Sequence, residues 1–160
     1  VSPSSVPDKI GSLRVVEGEF GLVLRRIRRV MDERARGLHP DLSAPSYWIM
    51  AALNERGPTR AADLVETFGL DKGAVSRYVA HLVSLEFIVK ERDPQDGRAQ
   101  LLNLTDLGRQ RLEAVVAKGR SDVATKFAGW SEVDLHTFAT LLQRYNATAD
   151  RSSVPSSRRS

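Results

Sequence analysis

Lys72, Ser76 and Arg77 follow Asp71 closely, with the small residues Gly73 and Ala74 between them. At about 100° per residue, Gly73, Ala74, Arg77, Ala80 and His81 fall on one side of a helix. Val75, Val79 and Leu82 fall on the other. An apolar trio is a face to bury. The opposite face carries the chemistry of base recognition. An arginine fork matches O6 and N7 of guanine, an alanine methyl can touch a thymine methyl, and small residues let the backbone approach base edges. Lys72 and Ser76 suit phosphate oxygens near the positive end of the helix dipole.

A second group lies at Asp96, Gly97 and Arg98, inside the run Asp93-Pro94-Gln95-Asp96-Gly97-Arg98. This run has turn chemistry at several positions and separates two strand-like stretches, 87–92 and 99–104. An arginine on a hairpin tip can enter a narrow minor groove. Asp96 is a poor phosphate ligand, so its expected work is to orient an arginine through an ion pair, with Gly97 shaping the turn.

Catalysis is not expected. His39, His81 and His136 sit on different elements without carboxylates at ligand spacing, and there is no glycine-rich phosphate loop or nucleophile elbow. No metal or cofactor is predicted. The absence of cysteine excludes disulfides, zinc–thiolate sites and thiol redox signalling. Apolar runs fall well short of the roughly 18 residues a membrane span needs. The first ten residues lack a charged start followed by an apolar stretch, so neither a membrane nor a secretory signal is expected, and the cytoplasm is the expected location. The formal charge of +4 supports nucleic-acid binding only weakly, because residues 61–98 hold five cations and seven acids. Binding through this segment must rely on a few placed cations, and on two copies acting together.

The elements that position these groups can be read in order. Residues 1–7 are polar and proline-containing and are expected to be disordered. From Asp8, a plausible N-cap, Ile10, Leu13, Val16, Phe20, Val23, Leu24, Ile27, Val30 and Met31 mark a long amphipathic helix ending near Gly37. Arg25, Arg26, Arg28 and Arg29 on it read as a solvated face. A helix over 44–55, with Pro45 in its first turn, is apolar nearly all round. Thr59 is read as the cap of a third helix, 60–67, and Asp71 as the cap of a fourth ending near Leu85. After the hairpin, Thr105 caps a fifth helix with Leu112, Val116, Gly119, Val123 and Phe127 on one stripe. Ser131-Glu132-Val133-Asp134 resembles a capping box opening a sixth helix, 131–148, and the tail 150–160 is expected to be disordered.

The predicted fold is therefore mainly α, a winged helix-turn-helix of about six helices with a two-stranded hairpin wing. It divides into 8–42, a DNA-binding unit over 43–104, and 105–149. The outer helices carry apolar stripes that need a partner, and a second copy is the economical one.

Three motifs, 70–77 (LDKGAVSR), 91–99 (ERDPQDGRA) and 104–108 (LTDLG), resemble the MarR family of bacterial regulators, and the likeness covers roughly residues 10–148. The resemblance implies a homodimeric transcription regulator, more often a repressor, on a pseudo-palindromic duplex DNA operator. It implies dimerisation through the N- and C-terminal helices, major-groove contacts from Lys72, Gly73, Ala74, Ser76 and Arg77, and a minor-groove contact from Arg98. Gly73 and Ala74 depart from the Ser-Thr often found there. The family also suggests a small aromatic or phenolic effector, for which Tyr47 and Trp48 are candidate pocket residues, although core packing is the favoured role for both. A winged helix serving as a protein-interaction module stays open as the alternative.

Overall fold

A computed structural model describes residues 9–97 and 99–152. Expectations for residues 1–7, Asp8, Arg98 and residues 153–160 lie outside these. The elements run α1 (Lys9–Leu38), α2 (Ala44–Arg56), β1 (Thr59–Arg60), α3 (Ala61–Phe68), α4 (Lys72–Ser84), β2 (Ile88–Arg92), β3 (Gln100–Leu104), α5 (Asp106–Lys126) and α6 (Glu132–Ser152). The chain divides into two units at Lys118/Gly119.

In the first unit the core gathers around α2. Ile49, Met50 and Leu53 are fully buried beside Leu64, Val75, Val79 and Leu82 of the next two helices, with Ile88, Leu102 and Leu104 closing the cluster from the sheet. The sequence predicted this helix to be covered on more than one side, and seven of its thirteen residues are buried. Its N-terminus is not capped by Ser43. The first amide, on Ala44, donates to Oδ1 of Asp32 at 3.2 Å, so α1 supplies the acceptor. Helix α1 buries Ala35 and Leu38 at its C-terminal end, whereas Ile10, Leu13, Val16, Val23, Leu24 and Ile27 are exposed along the rest. The four arginines at 25–29 are also exposed, and Arg29 pairs with Glu33 one turn on at 3.5 Å.

The expected two-stranded hairpin is present as β2 and β3, and a short strand β1 adds to it. The sheet has three antiparallel strands in the order β1-β3-β2, with Thr59 opposite Leu102 and Arg60 opposite Leu101. Thr59, read from the sequence as a helix cap, lies in β1 instead, and its hydroxyl donates to the Gly57 carbonyl at 2.9 Å. The N-cap of α3 is Arg60. Thr59 is a good capping residue by type, but pairing with β3 draws it into a strand that no local periodicity could reveal.

Two left-handed residues turn the chain on either side of α4. Gly69 ends α3 with φ of 59°, a left-handed conformation that glycine adopts without steric cost. Beyond α4, Glu86 takes the same kind of conformation (φ 59°), and the Phe87 amide donates back to the Leu82 carbonyl at 3.0 Å. Thr105 caps α5 as expected, accepting from the Gly108 amide at 3.0 Å.

The second unit contains the end of α5 and all of α6. Phe127 lies just past α5 and meets Trp130 edge-on, with centroids 5.1 Å apart, while Trp130 meets Phe138 of α6 at 5.6 Å. Ser131 caps α6: its Oγ accepts from the Asp134 amide at 3.1 Å and donates to the Asp134 carboxylate at 2.6 Å. Val133, Phe138, Leu141, Leu142 and Tyr145 remain exposed. The helix continues to Ser152, past the boundary expected near 148. No helix among the described residues is long and apolar enough to cross a membrane.

Candidate nucleic-acid interface

Helix α4 begins with a satisfied cap. The Asp71 carboxylate accepts from the amides of Gly73 at 3.1 Å and Ala74 at 2.8 Å. Those bonds favour the charged carboxylate and hold the Asp71 pKa below its usual range, with Arg77 adding a smaller attraction. Two of the amides at this helix end are therefore occupied from within the chain. Those two are closed to an arriving anion, whereas the side chains of Lys72 and Ser76 are both exposed.

The helix is divided as its sequence indicates. Val75, Val79 and Leu82 are 3% exposed or less, which anchors one side in the core. Lys72, Gly73, Ser76 and Arg77 are exposed, Ala74 and His81 half-buried. Arg77 and His81 are four residues apart and share a face. A Cβ added at Gly73 would lie 3.6 Å from Nη1 of Arg77, so the guanidinium arches over the glycine. The result is a helix end where Lys72 and Arg77 flank two small residues, with the Asp71 carboxylate beneath.

The wing is organised by a residue the sequence reading did not single out. Asp93 is buried, and its Oδ2 accepts from Nε of Arg60 at 2.8 Å and from Nη2 at 2.5 Å. Its Oδ1 accepts from the Gln95 amide at 2.8 Å. The Gln95 bond, then the Arg60 contact, keep the Asp93 carboxyl below its ordinary pKa, while Asp93 raises that of Arg60. Asp96 and Gly97 are exposed at the tip. Asp96 adds a weaker attraction to Arg60, and its amide contributes a bond to Asp93. The Gly97 carbonyl accepts from Nε of Arg92 at 3.1 Å, which folds a second wing cation along the loop. The only signal for the Arg60–Asp93 pair was the opposite charge of two residues 33 positions apart.

Tyr47 and Trp48 serve packing. Tyr47 is buried, and its hydroxyl accepts from Nη1 of Arg34 at 3.1 Å. Trp48 is half-buried and stacks on Phe68, centroids 6.2 Å apart. Among the described residues, no three His, Asp or Glu side chains gather where a metal ion could be held.

A model of the MarR family matches residues 41–99, the stretch from α2 through β2 and the wing loop. The HTH-type transcriptional regulator YxaD of Bacillus subtilis is 34% identical over 135 residues, covering 84% of this chain and 92% of the relative. The HTH-type transcriptional repressor NicR of Pseudomonas putida is 26% identical over 121 residues, covering 74% and 76%. Among solved structures, Rv1404 of Mycobacterium tuberculosis aligns with a TM-score of 0.71 at 22% identity, covering 92% of this chain and 98% of that one. Escherichia coli MarR without ligand aligns at 0.67 and 19% identity, covering 81% and 95%.

Proposed function

Since the chain belongs to the MarR family of winged helix-turn-helix transcription regulators, a DNA-binding family and not one of enzymes, we propose that it acts as a homodimeric repressor on a pseudo-palindromic operator. One observation carries this reading. Helix α4 is pinned by Val75, Val79 and Leu82 while Lys72, Gly73, Ser76 and Arg77 on its other side stay open to solvent. In the major groove, Arg77 reads a guanine and Lys72 and Ser76 meet phosphates, with Ala74 and His81 along the same face. The wing, through Arg98, enters the flanking minor groove. The apolar residues exposed on α1 and α6 cover each other across two copies, which sets the two reading helices about one helical turn of DNA apart.

A small aromatic or phenolic effector releases the DNA in this scheme by binding the two dimer geometries unequally. Half-buried Trp48 keeps ring surface for such a ligand, whereas Tyr47 is committed to the core. The place of action is the cytoplasm, where the DNA is. Selection of duplexes from a random pool, followed by titration with salt, tests the proposal. A two-fold symmetric consensus is expected, with affinity falling steeply as salt rises. Failure to enrich any sequence, with binding indifferent to salt, would favour the protein-interaction module instead.

A further inference from the structure

The wing is anchored to the helix-turn-helix at its root, where the two share one core. Its root is buried at Ile88, Leu102 and Leu104. Outward from there, β1 contributes two paired residues, and among the described residues no third strand flanks the hairpin beyond Arg60 opposite Leu101. The loop after Arg92 begins at that point. A two-stranded ribbon projecting from a sheet is free to twist and swing, and a loop that grips one groove while a helix reads another must be held in register with that helix.

Asp93 stands where the third strand ends. Its amide donates to the Ala99 carbonyl at 3.1 Å, closing the base of the loop, and the Ala99 amide returns to the Asp96 carbonyl at 2.8 Å. One carboxylate oxygen shapes the turn through Gln95, and the other takes both bonds from Arg60. Arg60 is itself the N-cap residue of α3, the helix that braces α4. The chain of contacts is continuous: wing loop, Asp93, Arg60, α3, α4. Asp93 has 6% of its side chain exposed and Arg60 41%, and the pair borders an open cleft of about 610 Å³ also lined by Arg56, Asp63 and Gln95.

We propose that the Arg60–Asp93 pair is a positioning device that sets the angle between the wing and the reading helix, so that grip on flanking DNA depends on two residues that do not touch it. This rests on the reading of the wing as a flank-binding arm. A rival role for Arg60 predicts the opposite result. Were Arg60 a phosphate ligand, removing the acid that occupies it would strengthen DNA binding.

The experiment is hydroxyl-radical footprinting and affinity measurement on the duplex selected by the unaltered protein, with Arg60→Gln, Arg60→Lys and Asp93→Asn. Absence of flank protection by the unaltered protein sinks the flank-binding reading itself. Given that protection, Asp93→Asn keeps an oxygen for the Gln95 amide but loses the ionic partner. It and Arg60→Gln are each expected to lose flank protection and about tenfold in affinity, the size of a lost contact. Base preference under α4 should stay unchanged, and Arg60→Lys should restore part of the flank protection. The proposal is overturned if Asp93→Asn binds more tightly, if flank and central footprints fade together, or if neither variant changes the flank.

Discussion

A Cβ atom at position 108 would stand 2.0 Å from the carbonyl oxygen of Phe87. Gly108, in the first turn of α5, thus lies against the backbone of the turn that follows α4. Thr105 reinforces the junction, its hydroxyl donating to the Glu86 carbonyl at 2.6 Å and its amide to the Phe87 carbonyl at 3.1 Å. The start of α5 is seated on the exit of α4 with no room for a methyl group. Gly108→Ala should therefore cost about 3 kcal/mol or more, since backbone must move on one side or the other. Chemical denaturation measures this directly, and a loss below 1 kcal/mol would mean that the junction is looser than its geometry indicates.

Gly73 presents the opposite case. A Cβ there meets Asp71 Oδ2 at 3.4 Å and Arg77 Nη1 at 3.6 Å, both ordinary contacts. Replacing glycine by alanine inside a helix gains roughly 0.5–1 kcal/mol. Gly73→Ala should raise the thermal midpoint, and a lowered midpoint would show that the added methyl disturbs the Asp71 cap.

Arg77→Ala should weaken binding to the selected operator by about 1–3 kcal/mol and relax the preference at one base position per half-site. The readout is a binding titration against duplexes varied at each position. Uniform weakening across every variant would reassign Arg77 to a phosphate.

Acid should loosen both ends of the interface. Asp71 and Asp93 each have a folded pKa below the ordinary carboxylate value. A depressed folded value means that the stabilisation is fully present above the unfolded pKa near about 4, and is lost as pH falls through the lower, folded value. Asp71→Asn can still cap the helix but cannot titrate. The variant should therefore show a shallower fall of thermal midpoint below about pH 4 than the unaltered chain. Parallel acid limbs would assign the loss to other carboxylates.

Leu24 of α1 is 59% exposed and Leu141 of α6 54%. If these faces are joined across two copies, Leu24→Glu or Leu141→Glu leaves a charge facing apolar surface. Sedimentation at micromolar concentration should then fall from two chains to one. An unaltered protein that already sediments as a single chain would defeat the dimeric reading.

How much of this was legible beforehand depended on the range of the interactions. The α4 face could be read because cap, apolar trio and exposed residues repeat within one helix, and the capping residues Thr105 and Ser131 act on amides three positions ahead. Strand β1 was not legible. Two residues carry no periodicity, and Thr59 pairs with a residue 43 positions later. Asp93 looked like one turn residue among several, and nothing local distinguishes it from Asp96. Its burial follows from β1 bringing Arg60 to that end of the hairpin. Trp48 was one apolar residue among many on α2, and the ring that stacks on it, Phe68, comes from α3.

Only the root of the hairpin belongs to the core, while positions 94–97 are exposed throughout. The described part of this tip is fastened to its two posts by the Gln95 amide on Asp93 and the Asp96 carbonyl on Ala99, not by burial. A tip of another length that keeps those two fastenings leaves the interior untouched, so on the proposed reading preference for neighbouring DNA can drift while recognition under α4 stays put.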